Sequence, residues 1–209
     1  MKNLILSLFT VFLFLTNTSY SQAVQFANVE LDGEALNNVP RIAWQLPMNF
    51  SAGRISDRMT LYTGAILKNE GVIYDLDGDR YKKRAISIGP SLGLKGVLGD
   101  DIIYTLGFDL DYNFHYKEKF FPNKDRKQKQ MTVREWGSNR VNKFNYCARV
   151  GVGMVNGICI FGEYYLNEFM NRDFQETIDE VEVKPYENLI INRFNIGISF
   201  LIQNKKIKI

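Results

Sequence analysis

A small set of ionisable side chains stands at spacings that suggest they meet. Arg149 and Glu163 flank an Asn156-Gly157 turn signal, so a hairpin would set guanidinium opposite carboxylate. Asp109 and Asp111 alternate along the preceding segment, and Lys95 precedes them across a second turn signal at Gly99-Asp100. On extended chain, alternate residues share one face. Arg149, Glu163, Asp109, Asp111 and Lys95 are therefore expected on one side of a sheet, as an internal ion-pair network that fixes register. The functional alternative is a gated polar path.

The other candidates for chemistry are weaker. His115 is the only histidine, and no serine adjoins it in sequence, so it is expected as a rim or lumen residue rather than a catalytic base. Asp75, Asp77 and Asp79 alternate like calcium ligands, but the twelve-residue loop with its distant glutamate is missing; a solvated loop is expected. Cys147 and Cys159 would lie roughly 25 Å apart on hairpin strands rising about 3.3 Å per residue. A disulfide needs Cα atoms within about 7 Å, so two free thiols are expected. Gly151-Val152-Gly153 precedes no helix and is a packing or bend feature rather than a nucleotide site. No cofactor, metal or catalytic residue is predicted.

The elements that must position these groups are strands. Ile102, Tyr104, Leu106, Phe108, Leu110, Tyr112, Phe114 and Tyr116 form one apolar face, while Ile103, Thr105, Gly107, Asp109, Asp111, Asn113, His115 and Lys117 form the other. Period-two alternation this long exceeds the usual strand of about 5–6 residues in soluble folds. The same pattern returns from Ile42 to Phe50, Ile86 to Leu94, Phe144 to Met154 and Phe194 to Ile202. Tyrosines sit towards the ends of the apolar stripe with aliphatics and Phe between them, as on a lipid-facing strand. The small and polar face then lines a narrow lumen filled by side chains.

The N-terminus has the three parts of a secretory signal: Lys2, the uncharged apolar run Leu4 to Leu15, and a polar stretch with Ser19 and Ser21 before a cut at Gln22. Residues 1–21 are expected as signal peptide and 22–209 as one domain. The net charge of the 209-residue chain is only +3, which does not point to nucleic acid. Aromatics reach 13% although 23% of residues are charged, a composition that fits alternating strands.

Seven strands are expected at about 41–52, 58–69, 84–97, 102–118, 141–154, 158–171 and 189–203. Short turns alternate with long polar links at 70–83, 119–140 and 172–188. If the short turns are periplasmic, parity requires an eighth strand before Pro40, and Val24 to Leu31 is the available segment. The expected fold is all-β: an eight-stranded antiparallel up-and-down transmembrane β-barrel.

The segment Asn195-x-Gly197-x-x-Phe200-x-Ile202 resembles the final-strand signal read by barrel assembly machinery, although Gln203 to Ile209 trail beyond it. With the strand pattern and the leader, the chain resembles the small outer-membrane barrels of the OmpA/OmpX type. The resemblance implies a location in the outer membrane of a Gram-negative bacterium, contact with outer-membrane lipid and lipopolysaccharide, and a monomer. It supplies no catalytic motif. Residues 117–143 are basic and residues 173–187 acidic, so the external loops are expected either to hold lipopolysaccharide phosphates or to pair with each other. A structural or surface-interaction role without enzyme activity is expected. The alternatives are a narrow solute channel or transport accessory, and a lipid-modifying enzyme.

Overall fold

The computed structural model describes residues 17–201 apart from 155–156, without the side chains of 17–19, 131, 132 and 201. The expected leader therefore lies mostly outside the described residues. Eight long strands, numbered here in chain order, build the barrel: β1 Asn17–Leu31, β2 Arg41–Ser56, β3 Met59–Leu76, β4 Asp79–Leu98, β5 Ile102–Phe121, β6 Phe144–Met154, β7 Ile158–Tyr165 and β8 Leu189–Leu201. Each pairs antiparallel with its neighbour in sequence, and β8 pairs with β1 from Ser19–Leu201 to Leu31–Leu189, which closes the ring. Closure leaves none of the eight as a free edge. The segment 24–31 is indeed the first strand, although β1 begins earlier, at Asn17.

The apolar face points outward. Leu106, Phe108, Tyr112, Val150, Val152, Ile160, Ile196 and Ile198 are all exposed, while Asp109, Asp111, Asn145, Glu163 and Arg193 are buried inside. Ten residue steps from Ile102 to Tyr112 climb about 33 Å along the strand. At a typical tilt this spans an apolar band about 25 Å tall. Aromatic pairs mark its upper border, with Phe26 stacked on Phe194 at 5.0 Å and Tyr112 tilted against Phe144 at 5.5 Å. Tyr20 and Phe200, register partners, and Phe50 stand near the lower border. Such a surface buries itself in hydrocarbon, and the chain is a transmembrane β-barrel.

Three long strands continue past the band. Residues 70–83, expected as a loop, are instead the tops of β3 and β4, joined by the two-residue turn Asp77-Gly78 with φ of 51° and 83°. Asp-Gly suits this left-handed turn, and its twist matches the flanking strands. Residues 130–136 form a further strand on β5, and Glu176–Ile178 pairs with Val181–Val183 as a small hairpin. Conversely β7 stops at Tyr165, and Leu166–Asn171 folds across the barrel end, with Phe169 and Met170 fully buried.

A bulge resets the alternation within β5. Ile86 of β4 faces His115, but Ser87 faces Asn113, so Phe114 is the extra residue. Beyond it the parity flips. Tyr116, expected towards lipid, is buried inside with Glu118, and His115 and Lys117, expected in the lumen, turn outward.

One close approach needs glycine. A Cβ on Gly89 would run into the backbone carbonyl of Leu110 on the adjoining strand, beside Pro90, which lacks a ladder donor. Gly89→Ala should prevent closure between β4 and β5. The expected result is loss of the heat-modifiable folded band after refolding, while Ala substitution at the open position Gly53 leaves it intact.

Candidate functional site

The barrel interior holds a lattice of charges at mid-height. Lys68 on β3 donates to Asp109 and Asp111 on β5, both at 2.8 Å. Arg149 on β6 reaches Asp109 at 2.7 Å and Glu163 on β7 at 2.7 Å. Gln45 and Asn195 also donate to Glu163, the latter at 2.7 Å. A second knot surrounds Glu70, which accepts from Arg193 at 2.7 Å, Asn145 at 2.9 Å and Ser87 at 2.9 Å. Arg193 is fully buried, its guanidinium lying 4.0 Å from the Tyr165 ring centre and 4.4 Å from that of Phe169. Arg41 donates to Gln25 and Asn69 in the wall between β2 and β3.

Three cations (Lys68, Arg149, Arg193) are ion-paired with four carboxylates (Glu70, Asp109, Asp111, Glu163), and a fourth buried cation, Arg41, evens the count while bonding only to the neutral Gln25 and Asn69. Neutrality matters because an unpaired buried charge costs several kcal/mol, whereas a paired one roughly breaks even with apolar packing. The lattice therefore specifies which residues face each other across the barrel more than it adds stability. With its neutral partners it draws on all eight strands and crosses the lumen.

The structure brings Arg149, Glu163, Asp109 and Asp111 together, with Arg149 and Glu163 as direct register partners. Lys95 departs from expectation. It faces the lumen but lies below the lattice, with no carboxylate within ion-pair distance among the described residues. The bridging cation is Lys68, which a less regular stretch of the sequence concealed. Glu70 and Arg193 were also missed; Glu70 falls where a loop was expected. Of the expected assembly signal, Asn195 points inward to the lattice and Phe200 outward, and a Cβ on Gly197 would meet the Phe161 ring; Ile202 lies outside the described residues.

Above the lipid band the interior changes character. Ala27, Val29, Val72, Tyr74, Tyr116, Phe169, Met170, Leu189 and Ile191 form an apolar core inside the extended end. Glu118 sits in it, ion-paired to Lys83 and hydrogen-bonded by Tyr116 at 2.9 Å and Tyr186 at 3.2 Å. Burial raises its pKa, but Lys83 and the two phenols outweigh that and hold the carboxyl below its ordinary value. A pocket of about 450 Å³ opens above this knot, with Tyr81, Lys83, Arg140 and Glu176 in its lining. The cations there are already matched: Lys83 by Glu118, Arg140 by Glu135 and Glu176. At the opposite, turn-bearing end the lumen is not filled as expected, and a cavity of about 550 Å³ reaches up to Arg149.

The aspartate trio is a hairpin tip rather than a cation loop. Asp75 is held by Arg80 at 2.7 Å and Lys124 at 3.2 Å, and Asp79 accepts from the Asn123 amide. His115 lies on the outer wall with its ring edge against Trp136, 4.8 Å between centres, and has no hydrogen-bond partner among the described residues. Cys147 and Cys159 are both free thiols.

The outer wall of the extension carries a group of cations without an ion-pair partner among the described residues. Lys82 faces Lys119 across β4–β5, Arg84 faces Lys117, and Lys117 faces Arg134 on the adjoining strand. Like charges directly opposite are ordinarily avoided in sheets. Burial of its stem, with Arg84, Arg41, Lys119 and Arg126 nearby, lowers the Lys82 pKa to about 8. Phe114 and Trp136 stack at 5.9 Å alongside His115, on the lipid side of this ladder.

No known family profile matches the sequence, and curated proteins give no significant match. Solved structures do show likenesses. Neisserial surface protein A is 11% identical with a TM-score of 0.46, over 90% of this chain and 98% of that one. The outer membrane enzyme PagL is 12% identical with a TM-score of 0.45, over 88% and 99%. Ail, the attachment invasion locus protein of Yersinia pestis, is 11% identical with a TM-score of 0.37, over 88% and 96%. Nothing about this chain's role follows from likenesses of that strength.

The lattice makes a sharp stability prediction. Lys68→Met strands two buried carboxylates and should cost about 3–5 kcal/mol in urea unfolding of the refolded barrel. Adding Asp111→Asn should recover part of that loss. Two variants as stable as the parent would show that the ion pairs are not coupled.

Proposed function

We propose that the protein is a bacterial outer-membrane barrel, closed to solutes, whose cationic outer wall holds the phosphate groups of lipopolysaccharide. One observation carries the reading: Lys82, Arg84, Lys117, Lys119 and Arg134 form an outward cross-strand ladder just above the lipid band. Lipid headgroup phosphates lie at that height, and charge-assisted bonds to them relieve the mutual repulsion of the ladder. The aromatic cluster of Phe114, His115 and Trp136 below it suits the boundary between acyl chain and headgroup. In this orientation the extended end faces outward and the short turns face the periplasm.

The rival readings have less support. A solute channel would have to pass the neutral lattice and the apolar core above it. A lipid-modifying enzyme would need an activated nucleophile, and the one histidine packs on Trp136 without a carboxylate or hydroxyl partner among the described residues.

The test is binding of purified lipopolysaccharide to the refolded protein. Lys82→Gln with Lys117→Gln and Lys119→Gln should weaken it at least about tenfold, since each charge-assisted bond is worth about 1.5–3 kcal/mol. Binding should fall with added salt and again as pH rises past 8, where Lys82 loses its proton. Undiminished binding by the triple variant would refute the proposal.

A further inference from the structure

The turn-end cavity borders the lattice at Gln45 and Arg149, has no part in the outer wall, and has a distinctive chemistry. About 550 Å³ in volume, it falls within the range of small-ligand sites and has Arg149 in its lining. Lys95 lines it without a carboxylate partner among the described residues. Arg149 spends Nε and Nη2 on Glu163 and Asp109, while its Nη1 makes no bond among the described residues. The acid at the mouth, Asp57, is paired with Arg54 at 3.1 Å. The apolar part of the remaining wall comes from Tyr62, Val97, Ile103 and Phe161, with Arg58, Thr60 and Thr105 among its polar members.

We infer that this cavity is a binding site for a short acyl carboxylate. The head would sit between Lys95 and Arg149 Nη1, and the acyl chain would lie along Phe161, Ile103 and Val97 towards the mouth. The site's charge favours the anion over the matching alcohol. In a narrow, partly desolvated space, a carboxylate gains a charge-assisted bond that a hydroxyl cannot replace in full. Entry is from the turn end only, because the lattice blocks the other direction. Ligand and lattice are linked through Arg149, so an occupied site adds an anion beside a cation that already holds Glu163.

Cys159 lines the same cavity and reports on it, whereas Cys147 is fully buried. The experiment measures the rate at which N-ethylmaleimide modifies Cys159 in refolded protein carrying Cys147→Ser, with octanoate or octanol added at equal concentration. Octanoate is expected to slow modification at least threefold, and octanol to leave it nearly unchanged. Lys95→Gln should abolish the protection and Lys95→Arg should keep it, with heat-modifiable mobility confirming that both variants fold. Equal protection by octanol, protection that survives Lys95→Gln, no protection, or a Cys159 that does not react would each overturn the inference. None of these results depends on lipopolysaccharide binding, so the two readings stand or fall separately.

Discussion

The solvent on the outside of the sheet changes with height, and the rest of the molecule follows from that change. Side chains alternate across a strand wherever it runs. Where hydrocarbon touches the wall, apolar residues must point out, and the polar remainder is forced into a narrow lumen. Charge there has to cancel locally, and Lys68, Arg149, Arg193 and Arg41 balance Asp109, Asp111, Glu163 and Glu70. Where β3, β4 and β5 emerge from the lipid band, the outside is wet and the rule reverses. Tyrosines and aliphatics move inside, and Lys82, Arg84, Lys117 and Lys119 move out. The bulge at Phe114 is the device that executes this reversal on β5. One inserted residue exchanges the faces without breaking the ladder with β4.

The two interiors have different tasks. The mid-height lattice is indifferent to stability in total yet severe about errors, because each missing partner leaves a buried charge. It sets register around the closed ring. The upper core resembles that of a water-soluble barrel, sealed by Phe169 and Met170 and tied by Glu118 to Lys83, Tyr116 and Tyr186. Between them they leave the outer wall and the turn-end cavity as the places where unmatched cations meet the surroundings.

Much of this was legible in the sequence. The stripe from Ile102 to Tyr112 announced the barrel, parity demanded the strand at 24–31, and hairpin spacing placed Arg149 opposite Glu163. The failures share one cause: a single rule was applied along the whole strand. Tyr116 and His115 were assigned to the wrong faces because a bulge leaves no mark in a period-two pattern. Residues 70–83 looked like a loop because their polarity is high, although Asp77-Gly78 between extended flanks is a strong hairpin signal. Glu70 falls within that stretch, and Lys68 ends the irregular strand just before it. Lys95 shared a face with the lattice but not its height, and a face is all that alternation reports.

The two tryptophans allow the lipid assignment to be measured directly. Trp44 points outward within the band of β2, so a variant carrying Trp136→Phe isolates its fluorescence. In vesicles of acyl-chain-brominated phospholipid, Trp44 emission should be strongly quenched, and aqueous iodide should have little effect. Strong iodide quenching with no response to the brominated chains would mean that water wets this face, and the account would be wrong.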